Sequence, residues 1–159
     1  MDDDARSALA GLIRKERIAH LATLRAGAPM ASMTLYLADP HLRAFHVHVS
    51  RLAWHTQDML KDPRVALSIA ESDDGRADPF TLMRLTIRGE AVQLKSEDAA
   101  LKDAWLQRFP EQAINFQLAD FSFWNIVPHD ARFVAGFGRI HNLSPAELAG
   151  AAPPQGDDR

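Results

Sequence analysis

Apolar residues recur at helical spacing along the first fifteen positions. Ala5, Ala8, Leu9, Leu12 and Ile13 share one stripe, which predicts an amphipathic helix over about residues 4–15. The period then falls to two. Strands are expected at 18–24 and 30–37, joined as a hairpin across Arg25-Ala-Gly-Ala-Pro29, and at 42–50 after the turn at 38–41. A helix over about 51–61 follows and stops before Pro63, which disfavours helical backbone at Asp62. A strand at 65–70 leads into a polar loop, Glu71 to Pro79. A long strand at 82–94 is expected to bend at Gly89. Ser96 caps a helix over roughly 97–109, with Glu97 and Asp98 near its positive end. One or two further helical turns fall at 110–118, and two strands, 121–127 and 131–137, meet through Pro128-His129-Asp130. Ser144-Pro145-Ala146-Glu147 carries a capping box with proline at the first helical position, and the residues after it read as a disordered tail. Residues 1–143 thus form the main domain and 144–159 a helical turn and tail.

Six or seven strands joined by short turns, with few helices, predict a mainly β fold: an antiparallel barrel with peripheral helices. The strict alternation of a doubly wound sheet is absent. Alternation sorts three strands into faces. Ala31, Met33, Leu35 and Leu37 oppose Ser32, Thr34 and Tyr36. Phe45, Val47 and Val49 oppose His46, His48 and Ser50; Met83, Leu85 and Ile87 oppose Arg84, Thr86 and Arg88. If adjacent, the polar faces form a shelf for a polar, aromatic, anionic ligand. They serve equally as the solvated side of an antiparallel sheet.

Composition removes several chemistries. The chain has 159 residues, 47% of them hydrophobic and 25% charged, the profile of a soluble globular protein. A net charge of −3 without a basic run gives no electrostatic reason to expect nucleic acid. There is no cysteine, which excludes disulfides and thiolate chemistry and suits a reducing compartment. The acidic start lacks a signal-peptide pattern, and no apolar run reaches the ~18–20 residues of a membrane span, so a cytoplasmic address is expected.

Ser50 and Arg51 stand where a strand gives way to a helix. Free backbone N–H groups, the helix dipole and a guanidinium fork can hold a phosphate there, with Arg84 helping; a plain cap by Ser50 is the alternative. Leu52, His55, Thr56, Met59 and Leu60 share one stripe, which turns His55 inward. His46 and His48 could ligate a metal, with His20 or an acidic residue as third ligand, but no H-E-x-x-H helix occurs. Gly136-Phe137-Gly138 is not a dinucleotide loop, since His141 stands where that motif needs a small residue. Nucleophile elbows and P-loops are absent, and Phe121, Phe123 and Trp124 read as core or interface aromatics.

The segment SRLAWHTQDMLKDPRVAL, followed by MRLTIRGEA and FVAGFGRIHNL, resembles the pyridoxamine 5′-phosphate oxidase-like, FMN-binding split-barrel family, and within it the haem-utilisation branch. The likeness runs in order from about Ile18 to Leu143. It implies a six-stranded antiparallel Greek-key split β-barrel that forms a homodimer, with FMN at the subunit interface. By position, Ser50 and Arg51 would hold the FMN phosphate with Arg84, while Ser32, Met33 and Thr34 line the flavin ring or ribityl chain. His55 and Thr56 would brace the site, and Trp124 would approach from the second subunit. The implied activity is flavin-dependent oxidoreduction of a small molecule, with no side chain assigned as a catalytic acid or base. A non-enzymatic protein that stores or delivers haem or flavin is the alternative, with His141 as a candidate haem ligand. Asp58 replaces the branch's usual Asn. Arg139 to His141 only loosely matches the substrate-binding Arg-His pattern of vitamin B6 oxidases, so that activity is not implied. Longer haem-utilisation members carry an additional domain, for which this chain is too short.

Overall fold

A computed structural model describes residues 1–152. The expected disordered tail lies mostly outside the described residues. Helix α1, Asp3–Lys15, is capped by Asp2, whose carboxylate accepts from the Ala5 N–H at 2.8 Å. Its apolar stripe, Leu9, Leu12 and Ile13 among it, enters the core as the spacing predicts. Strands β1, Ile18–Arg25, and β2, Ala28–Leu35, form a hairpin over two residues, Ala26 and Gly27, both at positive φ. That is the tight turn whose twist matches paired strands.

The remaining strands are β3, Leu37–Ala38; β4, Phe45–Ser50; β5, Arg64–Ala70; β6, Arg84–Gln93; β7, Phe121–Val134; and β8, Ile140–Leu143. They form one antiparallel sheet in the order β2-β1-β5-β6-β7-β4-β3, with β8 paired to β7. Six strands are long and two, β3 and β8, are short; this reconciles the expected six with the observed eight. β2 and β4 touch without a ladder between them, leaving an open seam. The fold is a mainly β split barrel with helices at its periphery.

Four elements depart from expectation. The pair of strands at 121–127 and 131–137 is one strand, β7. Pro128 lacks an N–H, yet sits where β6 and β7 slip register between Arg88 and Gly89, and a bulge tolerates proline. Gly89 is required there, since a Cβ would lie 2.1 Å from the Val127 carbonyl oxygen. Helix α2 spans Trp54–Lys61, three residues later than expected, and α3, Ala99–Arg108, is capped by Asp98 instead of Ser96. Finally, the faces of β2 are inverted. Thr34 and Tyr36 point inward, and the Tyr36 hydroxyl donates to the Ile13 carbonyl at 2.8 Å. Burial keeps that hydroxyl protonated, holding its pKa far above the ordinary phenol value. Leu35 and Leu37 instead pack outward, with Trp105, Phe109 and Phe123, into a second core beneath α3. Two apolar environments compete for β2, and alternation alone does not choose between them.

The short helix α4, Pro145–Ala149, carries the expected box between Ser144 and Glu147 and buries Leu148 in the main core.

Candidate functional site

The end of β4 and the start of α2 carry Ser50, Arg51, His55 and Thr56. Ser50 closes β4, and Arg51 to Ala53 form a turn before α2. Ser50 is therefore not the helix cap. Its hydroxyl accepts from the Leu52 N–H at 3.0 Å and donates to the Asp120 carboxylate, while the Arg51 N–H donates to the Asp120 carbonyl at 2.7 Å. Asp120 thus shapes the turn from both its side chain and its backbone, and leaves the Arg51 side chain in solvent. The actual cap position, Ala53, makes no side-chain bond, so the first N–H groups of α2 have no partner from that residue.

Helix α2 is rolled relative to the expected stripe. Thr56, Asp58 and Met59 are buried, His55 is half-buried, and Leu52 and Leu60 are exposed. Asp58, only 3% exposed, explains the roll. It accepts from the Thr23 hydroxyl and from an Arg25 guanidinium nitrogen, both at 2.9 Å. The Arg25 guanidinium also lies 4.2 Å from the centre of a Trp54 ring. A buried carboxylate with two partners is stable where a lone one is not. Burial lowers the His55 pKa, against the opposing pull of Asp58, and both His55 Nε2 and Thr56 Oγ1 are buried without a hydrogen-bond partner. Exposed Leu52, 71%, and Trp54, 57%, follow Arg51 in sequence.

β2 forms the other side of the seam. Ser32, Met33 and Thr34 stand on β2, which touches β4 without pairing with it. Met33 is 62% exposed and Thr34 is buried.

Two predicted residues lie elsewhere. Arg84 starts β6 and pairs with Val134, at the far end of β7 from Phe121, the partner of Ser50. Roughly 40 Å of strand contour separates the two positions at the usual rise per residue. The Arg84 guanidinium donates to the carbonyls of Phe80 and Leu82 at 3.2 and 3.1 Å, tying down the 3-10 turn Pro79–Thr81. Within one protomer Arg51 and Arg84 cannot grip one anion. Trp124 is 3% exposed and packs in the barrel core, so its ring is not offered to a second subunit.

The polar shelf of β4 is roofed, and its three side chains are partnered differently. His46 Nδ1 lies 2.7 Å from Asn125 Oδ1. His48 stacks on Phe116, ring centres 4.2 Å apart, with Phe121 and Phe123 beside it at 5.4 and 4.6 Å and Trp105 edge-on at 5.9 Å. Phe116 comes from the 3-10 segment Pro110–Gln117 that follows α3. Burial pushes the His48 pKa down to about 4, and its Nδ1 has no hydrogen-bond partner. A cavity of about 590 Å³ opens beside this ring, lined also by Leu94, Lys95 and Lys102. His141 lies against Phe133 with Nε2 buried and unpartnered. Among the described residues, no group of three or more His, Asp or Glu side chains could hold a metal ion, and no helix is long and apolar enough to cross a membrane.

Asp120, Arg25 and Phe116 were not found from sequence. Only Asp58 carried a signal, as a charged residue at a position where the branch has an amide; its buried partners give that departure a cause.

The antiparallel sheet closed on itself with an open seam defines a split β-barrel. The chain belongs to the family described as CREG, beta-barrel, whose model matches residues 1–149. It is 36% identical over 111 residues to "Non-canonical heme oxygenase HOZ, chloroplastic" of Arabidopsis thaliana, a match that covers 69% of this chain and 33% of that protein. A solved heme binding protein from Mycobacterium smegmatis superposes with a TM-score of 0.81 at 26% identity, covering 92% of this chain and 60% of the other. Campylobacter jejuni ChuZ shares the fold, with a TM-score of 0.80 at 18% identity over 92% of this chain and 62% of its own. The chain therefore spans a third of the length of the plant relative and three fifths of the mycobacterial one.

Proposed function

We propose that this protein is a haem-binding split barrel, active as a homodimer, whose ligand lies along the seam between β2 and β4. The observation that carries this reading is the amphipathic stretch that follows β4, the exposed Arg51 with the exposed apolar Leu52 and Trp54 directly after it in the chain, on the side of the barrel where β2 carries the exposed Met33. Haem is a flat apolar disc with two carboxylates at one edge, and this strip matches both parts. Arg51 would meet a propionate, and Met33 and Trp54 the ring. His20, exposed and paired across β1 and β2 with Met33, is better placed as an axial ligand than His141, whose Nε2 is buried. The names of the plant and mycobacterial relatives favour haem over other planar anions.

The strip is one-sided, and a second copy would complete it. Ala31, Ala22 and Ala66 stand in one register row across β2, β1 and β5 on the outer face. Such short side chains let two sheets approach closely. Bound haem would supply iron-centred redox chemistry; the chain itself binds, orients and shields it. With a reductant and oxygen, haem would also be the small-molecule substrate.

A second reading is favoured by the uncapped start of α2. FMN would place its phosphate at Ser50 and Arg51, with Ser32, Met33, Thr34, His55 and Thr56 along the flavin, and the protein would be a flavin-dependent oxidoreductase. Asp120 and the distant Arg84 weigh against it.

Separate absorption titrations with haem and FMN decide. The expected result is a saturable Soret shift at one haem per protomer, weakened about tenfold in Arg51→Ala, the scale of one charge-assisted contact. Saturable FMN binding with no haem response would select the flavin reading. Binding of neither would overturn both.

A further inference from the structure

We propose that the cavity beside His48 is a separate binding site for a planar aromatic acid that carries a hydrogen-bond donor. Its ring would pack on Phe116, Phe121 and Phe123, its donor would meet the His48 imidazole, and its carboxylate would lie at Lys95 and Lys102. This goes beyond the haem reading, because Ser32, Thr34, Ser50, Arg51 and Thr56 do not line this cavity.

The cavity, at about 590 Å³, falls in the range of small-molecule sites and combines an aromatic wall with a polar and charged rim. His48 is held in an aromatic box whose low polarity keeps it neutral, with a pKa near 4. A neutral imidazole has one nitrogen that donates and one that accepts. Its Nδ1 is buried without a partner, so a ligand in the cavity that His48 lines would meet the ring at its other nitrogen, Nε2.

Charge at the rim sets which end of the ligand lies where. Lys102 Nζ stands 5.1 Å from the centre of the Phe116 ring, above the same wall that stacks on His48. The rim also carries Glu97, Asp98 and Asp103. Asp98 is engaged as the cap of α3, its carboxylate accepting from the Leu101 N–H at 2.9 Å. An anionic group is therefore steered to the lysine side, and a ligand with two acidic ends is rejected.

Calorimetric titration of the full-length protein at neutral pH with 6-hydroxy-2-naphthoate, 2-naphthoate and 2-naphthol tests this. The hydroxy acid should bind saturably, one per protomer, and each probe lacking one polar group should bind at least about fivefold more weakly, the scale of a single buried hydrogen bond. His48→Phe keeps the stack on Phe116 and should erase the preference for the hydroxyl. Lys102→Met, a change on a solvent-facing stem, should erase the preference for the carboxylate and serves if the first variant fails to fold. Haem titrations of both variants should match the wild type, which separates this site from the seam. Absence of saturable binding by all three probes overturns the proposal, as does either preference surviving its variant.

Discussion

At the scale of single residues, Asp58 shows how a charge can be an interior residue. Its two hydrogen bonds, to Thr23 and Arg25, offset its desolvation, and the arginine in turn covers Trp54. Asp58→Ala strands the Thr23 hydroxyl and frees the guanidinium. Urea unfolding should report a loss of about 2 kcal/mol, below the usual cost of breaking a fully buried pair because Arg25 is partly exposed. Asp58→Asn keeps an acceptor oxygen for Arg25, while its amide can donate to the Thr23 hydroxyl, and should cost less than half as much. His48 yields a pH prediction. Its folded pKa, about 4, lies below the free value of 6.5, so the unfolded chain takes up the proton first. The stability that rests on the neutral imidazole is whole above about pH 6.5 and is lost as the pH falls toward 4. His55 is shifted the same way by burial and adds to the trend. His48→Phe should show a shallower decline of the urea midpoint over that interval. Residue identity was legible for Ser50 and Arg51, whose types suit an anion. Their partner Asp120 was not, because 70 positions of chain separate it from Ser50 and only β4–β7 pairing brings them together.

At the scale of elements, periodicity located the long strands and helices, and the errors in their bounds come from one bulge and one tertiary bond. β7 runs unbroken through Pro128 because a bulge absorbs the missing N–H. Gly89 supplies the room for that bulge. Gly89→Ala should destabilise the fold by about 3 kcal/mol or more, since the obstructing atom is backbone and cannot swing aside; loss of soluble expression or a lowered melting temperature would register it. Thermal stability equal to the parent's would show that β6 and β7 can separate there at little cost. The box at α4 makes a milder case: Ser144→Ala should cost about 1 kcal/mol, because it removes a cap from a helix whose Leu148 is seated in the core. α2 began late because the stretch from Ser50 to Ala53 is held as a turn by Asp120, a tertiary bond that outweighs local helical preference.

At the scale of the whole molecule, the seam makes an assembly prediction. If a second copy packs on the alanine row, the mass in solution should be twice 17.6 kDa by light scattering. Ala66→Arg, placed in that row, should then shift the protein to monomer and abolish haem binding together with it. A monomeric parent that still binds haem tightly would remove the partner from the site. Barrel class, antiparallel pairing and the polar–apolar split of β4 and β6 followed from the amino-acid sequence alone, because alternation and turn chemistry are local and each residue carries its own part of the signal. Three matters were decided only in three dimensions: which apolar face of β2 enters the barrel, that Arg84 stands far from Arg51, and that the imidazoles of β4 are roofed and not solvated. Each depends on register between distant strands or on a helix packed across them, and pairwise geometry of that kind leaves no trace in the spacing of residues along one chain.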